Sequence, residues 1–382
     1  MSERKPLSSS LNRVEISRSA LRYNFTLCRA KAGSAKVMAM VKADGYGHGM
    51  IECARIFSAE GAAAFGVAEV CEGRVLREAG IVEPIFVLVG IMPEEIPEML
   101  VHRLTPVVVD SFLLAELSGR AVQMGLQVGL HVKMDAGMGR QGCLPEAVPD
   151  IVRQISELPG LRLDGIMAHF PLADEPGSAN TMEVFGRFRK AVAGVEYLLP
   201  AGCCLHIANS GGLFHFASTA LHLVRPGIAL YGCAPDVIKN RATAGEEELR
   251  PAMRFVTRVI QVRIVPSGTG LGYGQTYVTS RQTTLAVLPV GYGDGYLRRL
   301  SGRAEVLLLG QRAPVVGRIS MNLTLVDVTD IKGELRRGDE AVLLGRQGDE
   351  LIRAEEMASW MDTISYEVLC LFGNLNDRYY II

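Results

Sequence analysis

Short apolar runs recur along the first 232 residues, at 36–42, 62–68, 84–90, 104–110, 128–135, 163–170, 204–210 and 223–232. Between them, apolar residues return every third or fourth position, as at 50–59, 111–124, 146–158 and 181–199. The last of these carries a Val184, Phe185, Phe188, Val192, Val195 stripe. The runs read as buried strands, and the 3.6-residue spacing reads as amphipathic helix. Strand and helix in alternation build right-handed βαβ units on a parallel sheet. Eight such units predict a closed (β/α)8 TIM barrel, for which ~250 residues is usual. A doubly wound open sheet is the alternative.

The pattern changes after residue 245. Runs at 253–265, 283–290, 304–309, 313–319, 323–328 and 340–344 are short, β-type and separated by Gly, Pro and charged turns. Helical spacing returns only near 354–361. We therefore expect a barrel over 11–245 and a mainly-β C-terminal domain over 246–382, with the linker near 240–250. Val14-Glu15-Ile16 reads as an edge strand returning to the second domain, and residues 1–10 as a polar, disordered lead-in.

Composition narrows the class. A chain of 382 residues suits two domains. Lys+Arg 40 against Asp+Glu 41, with no basic block, favours neither nucleic acid nor an acidic membrane surface as partner. No apolar run approaches the ~20 residues of a membrane span, and the N-terminus lacks the apolar segment of a signal peptide. The eight cysteines form no C-x-x-C pair, which points to reduced thiols in a cytoplasmic protein and to no metal site. A soluble cytoplasmic enzyme is expected.

The polar residues at strand ends are the candidate chemistry. Lys42 ends the first predicted strand, Lys133 and Asp135 the fifth, His169 the sixth, and Asn209 and Ser210 the seventh, while Arg225 lies in the eighth. All would gather at the C-terminal mouth of a barrel, where active sites sit. Lys42 follows Val37-Met38-Ala39-Met40-Val41 and precedes Ala43-Asp44-Gly45-Tyr46-Gly47-His48-Gly49. Desolvation there would depress an amine's pKa and make a nucleophile able to form a Schiff base. The plain alternative is a lysine snorkelling from a strand end. Ser210, before Gly211-Gly212, suits phosphate binding at a helix start; alone it reads as an N-cap.

The run Val41-Lys42-Ala43-Asp44-Gly45-Tyr46-Gly47-His48-Gly49 resembles the pyridoxal-phosphate lysine motif of the alanine racemase family. Further family motifs follow in order from Val14 to Tyr366. They are Lys133-Met134-Asp135-Ala136-Gly137-Met138-Gly139-Arg140, His206-Ile207-Ala208-Asn209-Ser210, Val224-Arg225-Pro226-Gly227-Ile228, Leu271-Gly272-Tyr273-Gly274-Gln275, Ser320-Met321-Asn322 and Ile364-Ser365-Tyr366. The resemblance implies pyridoxal 5'-phosphate on Lys42, with Lys42 and Tyr273 as the two proton-transfer bases that interconvert L- and D-alanine, the latter for peptidoglycan. It implies phosphate contacts from Tyr46, Asn209, Ser210, Tyr366 and the amides of Gly227 and Ile228, with His169 packed near the cofactor. Arg225 would face the pyridine nitrogen, Arg140 and the Met321 amide the substrate carboxylate. Lys133 corresponds to a lysine carbamylated in many members. The family also implies a homodimer in which Tyr273 serves the partner subunit's site.

Two positions depart from the family. The residue after Met321 is usually Asp and is Asn322 here, which loosens the expectation of strictness for alanine. The usual basic, Pro-containing ending is replaced by Gly373-Asn374-Leu375-Asn376-Asp377-Arg378-Tyr379. The alternatives are a serine or broad-specificity racemase, a barrel-type amino-acid decarboxylase, and a non-catalytic pyridoxal-phosphate-binding protein.

Overall fold

The computed structural model describes residues 10–235 and 249–382. The expected lead-in at 1–10 and linker at 240–250 therefore lie outside the described residues, apart from Ser10, Leu249 and Arg250. The chain divides into two compact units. One comprises Leu21–Gly45 and Met50–Leu249; the other comprises the chain up to Ala20, Tyr46–Gly49 and Arg250–Ile382.

Strand β1 (Arg13–Ser17) belongs to the latter. The former is built on β2 (Lys36–Met40), β3 (Ala64–Val67), β4 (Ile85–Val87), β5 (Thr105–Val108), β6 (Val128–Lys133), β7 (Leu161–Met167), β8 (Cys204–His206) and β9 (Leu223–Val224). They pair in parallel in the order β8-β7-β6-β5-β4-β3-β2-β9. The seam between β8 and β9 is spanned by His222 N–H to Leu205 O (3.1 Å) and Arg225 N–H to Ala208 O (2.9 Å). The result is a nearly closed barrel of eight parallel strands, as the sequence predicts. Its strands are apolar at nearly every position because both faces are covered. The helix Val148–Glu157 shows how: it buries Val148, Ile151, Val152 and Ile155, one stripe at helical spacing.

The other unit carries β10 (Met253–Arg258), β11 (Gln261–Val265), β12 (Gly270–Leu271), β13 (Tyr277–Val278), β14 (Thr283–Leu288), β15 (Glu305–Leu308), β16 (Gln311–Val316), β17 (Thr324–Asp327), β18 (Glu340–Gln347), β19 (Glu350–Ile352) and β20 (Arg378–Ile381). The main sheet runs β11-β14-β17-β16-β15-β18-β10-β1-β20, and β12 and β13 form a separate hairpin. Two expectations are corrected here. β1 is not an edge strand, because β20 pairs with it in parallel on the side away from β10. Val14 and Ile16 are fully buried, so the neighbouring backbone is better paired than left open. Helix also returns twice, at Ala354–Met361 and again at Ser365–Leu375, which buries Val368, Leu369 and Phe372.

All eight cysteines are free; Cys71 is exposed, Cys204 and Cys370 half-buried, the rest buried. Among the described residues no helix is long and apolar enough to cross a membrane.

Candidate active site

The chain leaves β2 through a left-handed turn that starts at Lys42. Ala43 (φ 52°, ψ 48°), Asp44 (52°, 49°) and Gly45 (65°, 42°) are all left-handed, and Tyr46 follows at φ 54°. That conformation costs about 1–2 kcal/mol for each residue with a Cβ, so the turn needs ties. Ala43 N–H donates to Glu72 Oε1 (2.7 Å), Met50 N–H to Asp44 Oδ1 (2.7 Å) and Gly45 N–H to Val41 O (2.8 Å). Half-buried Lys42 stands beyond the C-terminal end of β2.

Positive charge converges there. Lys133 ends β6, is 7 % exposed and donates from Nζ to Gln141 Oε1 at 2.5 Å. Gln141 in turn donates to the Val89 carbonyl. Burial, reinforced by the charges of Arg140, Arg225 and Lys42, pushes the Lys133 ammonium down to about 8. The nearby acid, Asp135, offsets this only in small part. Asp135 Oδ1 is committed to the N–H groups of Gly137 (2.9 Å), Met138 (2.8 Å) and Gly139 (3.1 Å). Burial raises that carboxyl, but these amides outweigh it and hold it below its ordinary range. Four cations, Lys42, Lys133, Arg140 and Arg225, therefore share a region.

Arg225 follows β9 and is 3 % exposed. Its donors go to neutral acceptors only: Nη1 to His206 Nδ1 (2.8 Å), and Nη2 to Ala168 O (2.7 Å), Ile207 O (3.1 Å) and His169 Nδ1 (3.3 Å). Burial lowers its pKa to about 10, which leaves it charged near neutrality. The guanidinium fixes the tautomers around it, because it can only donate. His206 must accept at Nδ1, so as a neutral ring it carries its proton on Nε2. That proton points to His131 Nδ1, 2.9 Å away, and His131 must then carry its own on Nε2. All three imidazoles are kept neutral. Burial and then Arg225 lower His169 and His206 well below the usual value. Burial likewise brings His131 to about 4.

Next to Arg225, the hydroxyl of buried Ser210 accepts from Gly227 N–H (2.9 Å) and Ala229 N–H (3.3 Å). Its own proton is left to donate. Ser210 is not the N-cap of the helix Ser210–His215; Asn209 is, accepting from Gly212 N–H at 2.9 Å. Ile228 opens a short 3-10 turn, so its amide, like that of Gly211, has no partner within its own helix.

Lys42, Lys133, Arg140, His169, Asn209, Ser210, Arg225, Gly227 and Ile228 thus belong to the barrel unit. Tyr46, Tyr273, Met321 and Tyr366 belong to the other. Tyr46 and Tyr366 pack with ring centroids 5.9 Å apart, and burial raises the Tyr46 phenol. Tyr273 sits in the turn between β12 and β13 and is 69 % exposed. Met321 is exposed as well, and Asn322 Nδ2 lies 3.5 Å from Asp294 Oδ2. The sequence pattern assigned no role to His131, His206 or Gln141. A signal existed for one of them: His131 and Lys133 are two apart on one strand and so share a face.

These features match known proteins. The family "Alanine racemase, N-terminal domain" matches residues 16–235 and "Alanine racemase, C-terminal domain" matches 252–380. The alanine racemase of Syntrophobacter fumaroxidans is 40% identical over 363 residues, covering 94% of this chain and 95% of that one. The structure of alanine racemase from Bartonella henselae with covalently bound pyridoxal phosphate is similar at a TM-score of 0.87 and 25% identity, covering 98% of this chain and 100% of that one. The structure of alanine racemase from Bacillus anthracis with bound L-Ala-P is similar at a TM-score of 0.87 and 31% identity, covering 98% and 96%.

Proposed function

The chain belongs to the alanine racemase family, and we propose that it interconverts L- and D-alanine with pyridoxal 5'-phosphate carried on Lys42. The observation that carries this reading is the cluster of Lys42, Lys133, Arg140 and Arg225, whose charges together with burial push the Lys133 ammonium down. Such a cluster fits a ligand that brings its own negative charge, as a phosphate monoester and an amino-acid carboxylate do together. The donor set fits as well. The Ser210 hydroxyl and the Gly227 and Ile228 segment suit a phosphate, with Asn209 capping the helix Ser210–His215, and the family resemblance would add the phenols of Tyr46 and Tyr366.

When bound, pyridoxal phosphate supplies an aldehyde carbon that takes up amines and a ring that withdraws charge from the substrate's Cα. The chain's own residues do the rest. The Lys42 amine and the Tyr273 phenol exchange the Cα proton, one on each face, so a proton removed from one side is replaced on the other. Arg140 grips the substrate carboxylate with a planar fork of donors, aided by the Met321 amide. Arg225 would face the pyridine nitrogen and, being able only to donate, would keep it an acceptor, which would moderate charge withdrawal and favour clean proton exchange over side reactions. His169 and His206 hold Arg225 in that pose. Lys133, as a carbamate, would turn a cation beside Arg140 into an anion that orients it.

Tyr273 would serve the partner subunit of a cytoplasmic homodimer. Asn322 supports a second reading, a racemase that also accepts serine, because the usual Asp charge is missing. The test is direct. Borohydride reduction followed by mass spectrometry should find the cofactor on Lys42, and loss of optical activity across a panel of L-amino acids should be fastest with alanine. A reduced adduct on another lysine, or a different best substrate, would overturn the assignment.

A further inference from the structure

The unusual C-terminal ending leads into β20, and β20 reaches the loop that continues from Lys42. Six of the seven residues from Ala43 to Gly49 have positive φ, all but His48. A chain so far from its preferred conformations persists only where its surroundings over-determine it. In the segment Tyr46–Gly49, three successive carbonyls each meet a side chain. Tyr46 O lies 3.0 Å from His48 Nδ1, Gly47 O accepts from Arg378 Nη1 at 3.3 Å, and His48 O accepts from Tyr380 Oη at 3.0 Å. The fit leaves no slack. A Cβ at Gly47 would collide with the Leu369 carbonyl, and one at Gly49 with the Tyr380 hydroxyl. Tyr380 is itself held by Arg18, whose guanidinium lies 5.3 Å from its ring centre and donates to its carbonyl at 3.2 Å.

We propose that Arg378 and Tyr380 are positioning residues that hold the left-handed Tyr46–Gly49 segment, and with it the Tyr46 phenol, in the shape that retains the cofactor. This rests on the assignment of Lys42 and Tyr46 to pyridoxal phosphate. The departure from the usual ending thus supplies its own ties to the cofactor loop: a guanidinium and a phenol on alternate residues of β20, one for the Gly47 carbonyl and one for that of His48.

Tyr380→Phe removes one donor and keeps the ring; Arg378→Ala removes the other, and Arg378→Lys restores a cation. Each is compared as holoenzyme with the parent protein in three measurements: hydrogen exchange of peptides covering residues 43–49, the rate of cofactor release, and the urea midpoint. Loss of one hydrogen bond should speed both loop exchange and cofactor release by about fivefold. Exchange in β10 and β18 and the urea midpoint should change little. Arg378→Lys should recover part of the effect. Unchanged loop exchange in both Tyr380→Phe and Arg378→Ala would overturn the proposal even with the cofactor trapped on Lys42. So would faster exchange with unaltered cofactor release. A cofactor trapped elsewhere would instead overturn the reading of the site, and with it the purpose assigned to these ties.

Discussion

Replacing Lys133 by methionine should stabilise the cofactor-free protein at neutral pH, although it removes a hydrogen bond. Lys133 is 7 % exposed, and its amine drops from an ordinary 10.5 to about 8 through burial and then through Arg140, Arg225 and Lys42. A fall of that size means that keeping the ammonium inside costs about 3 kcal/mol. The unfolded chain binds more protons than the folded one between about pH 8 and 10.5, so stability rises with pH across that window and carries the full cost below it. Methionine fills similar space and forfeits the bond to Gln141, worth about 1 kcal/mol. The net gain at pH 7 should be about 2 kcal/mol, vanishing or reversing near pH 10.5. Urea unfolding in degassed, carbon-dioxide-free buffer at both pH values measures it. Repeating the parent protein with bicarbonate adds a second reading, since a carbamate among these cations should stabilise it. A variant less stable than the parent at pH 7 without carbon dioxide, by an amount independent of pH, would refute the reasoning.

Three further substitutions test other parts of the site. His206→Phe leaves Arg225 Nη1 and His131 Nδ1 without partners in a buried region and should cost about 3 kcal/mol in urea unfolding; a loss below about 1 kcal/mol would show that the imidazole does not support the guanidinium. Ala43→Gly should stabilise by up to about 1 kcal/mol, because glycine adopts the left-handed turn without a Cβ penalty, and a loss of stability would contradict that conformation. Asn322→Asp sets a second carboxylate beside Asp294, a repulsion of about 1 kcal/mol at exposed range, and should lower kcat/KM for serine relative to alanine; an unchanged ratio removes Asn322 from specificity.

Much of this architecture is legible because a parallel barrel writes its strands as uninterrupted apolar runs. Val37–Val41 and Ile85–Val89 need no partner information to be read. The same logic placed Lys42, Lys133 and His169 at one end, since each stands at the end of such a run, with Arg225 drawn from within the last one. What escaped depends on contacts distant in sequence. β1 reads as an edge strand until β20, more than 350 residues later, is seen beside it. The helix Ser365–Leu375 is short, follows the left-handed Asp362 and carries a glycine, so its period is weak. Ser210, suited to phosphate by its place at the end of the seventh run, still reads as a cap when taken alone, and only the hydrogen bonds assign that place to Asn209. The turn after Lys42 was signalled by glycines, but nothing local announces that Ala43, Asp44 and Tyr46 are left-handed too. His131 and His206 look like core residues until Arg225 is found to dictate their tautomers.

The central claim is that Lys42 and Tyr273 work on opposite faces of the same substrate carbon. Exchange of the Cα hydrogen in heavy water, followed separately for L- and D-alanine, tests it most directly in Tyr273→Phe. The account predicts that this variant still exchanges the Cα hydrogen of one enantiomer, with retention of configuration, while exchange of the other enantiomer and racemisation fall together by about a hundredfold or more. Equal loss of exchange from both enantiomers, or racemisation close to that of the parent protein, would contradict it.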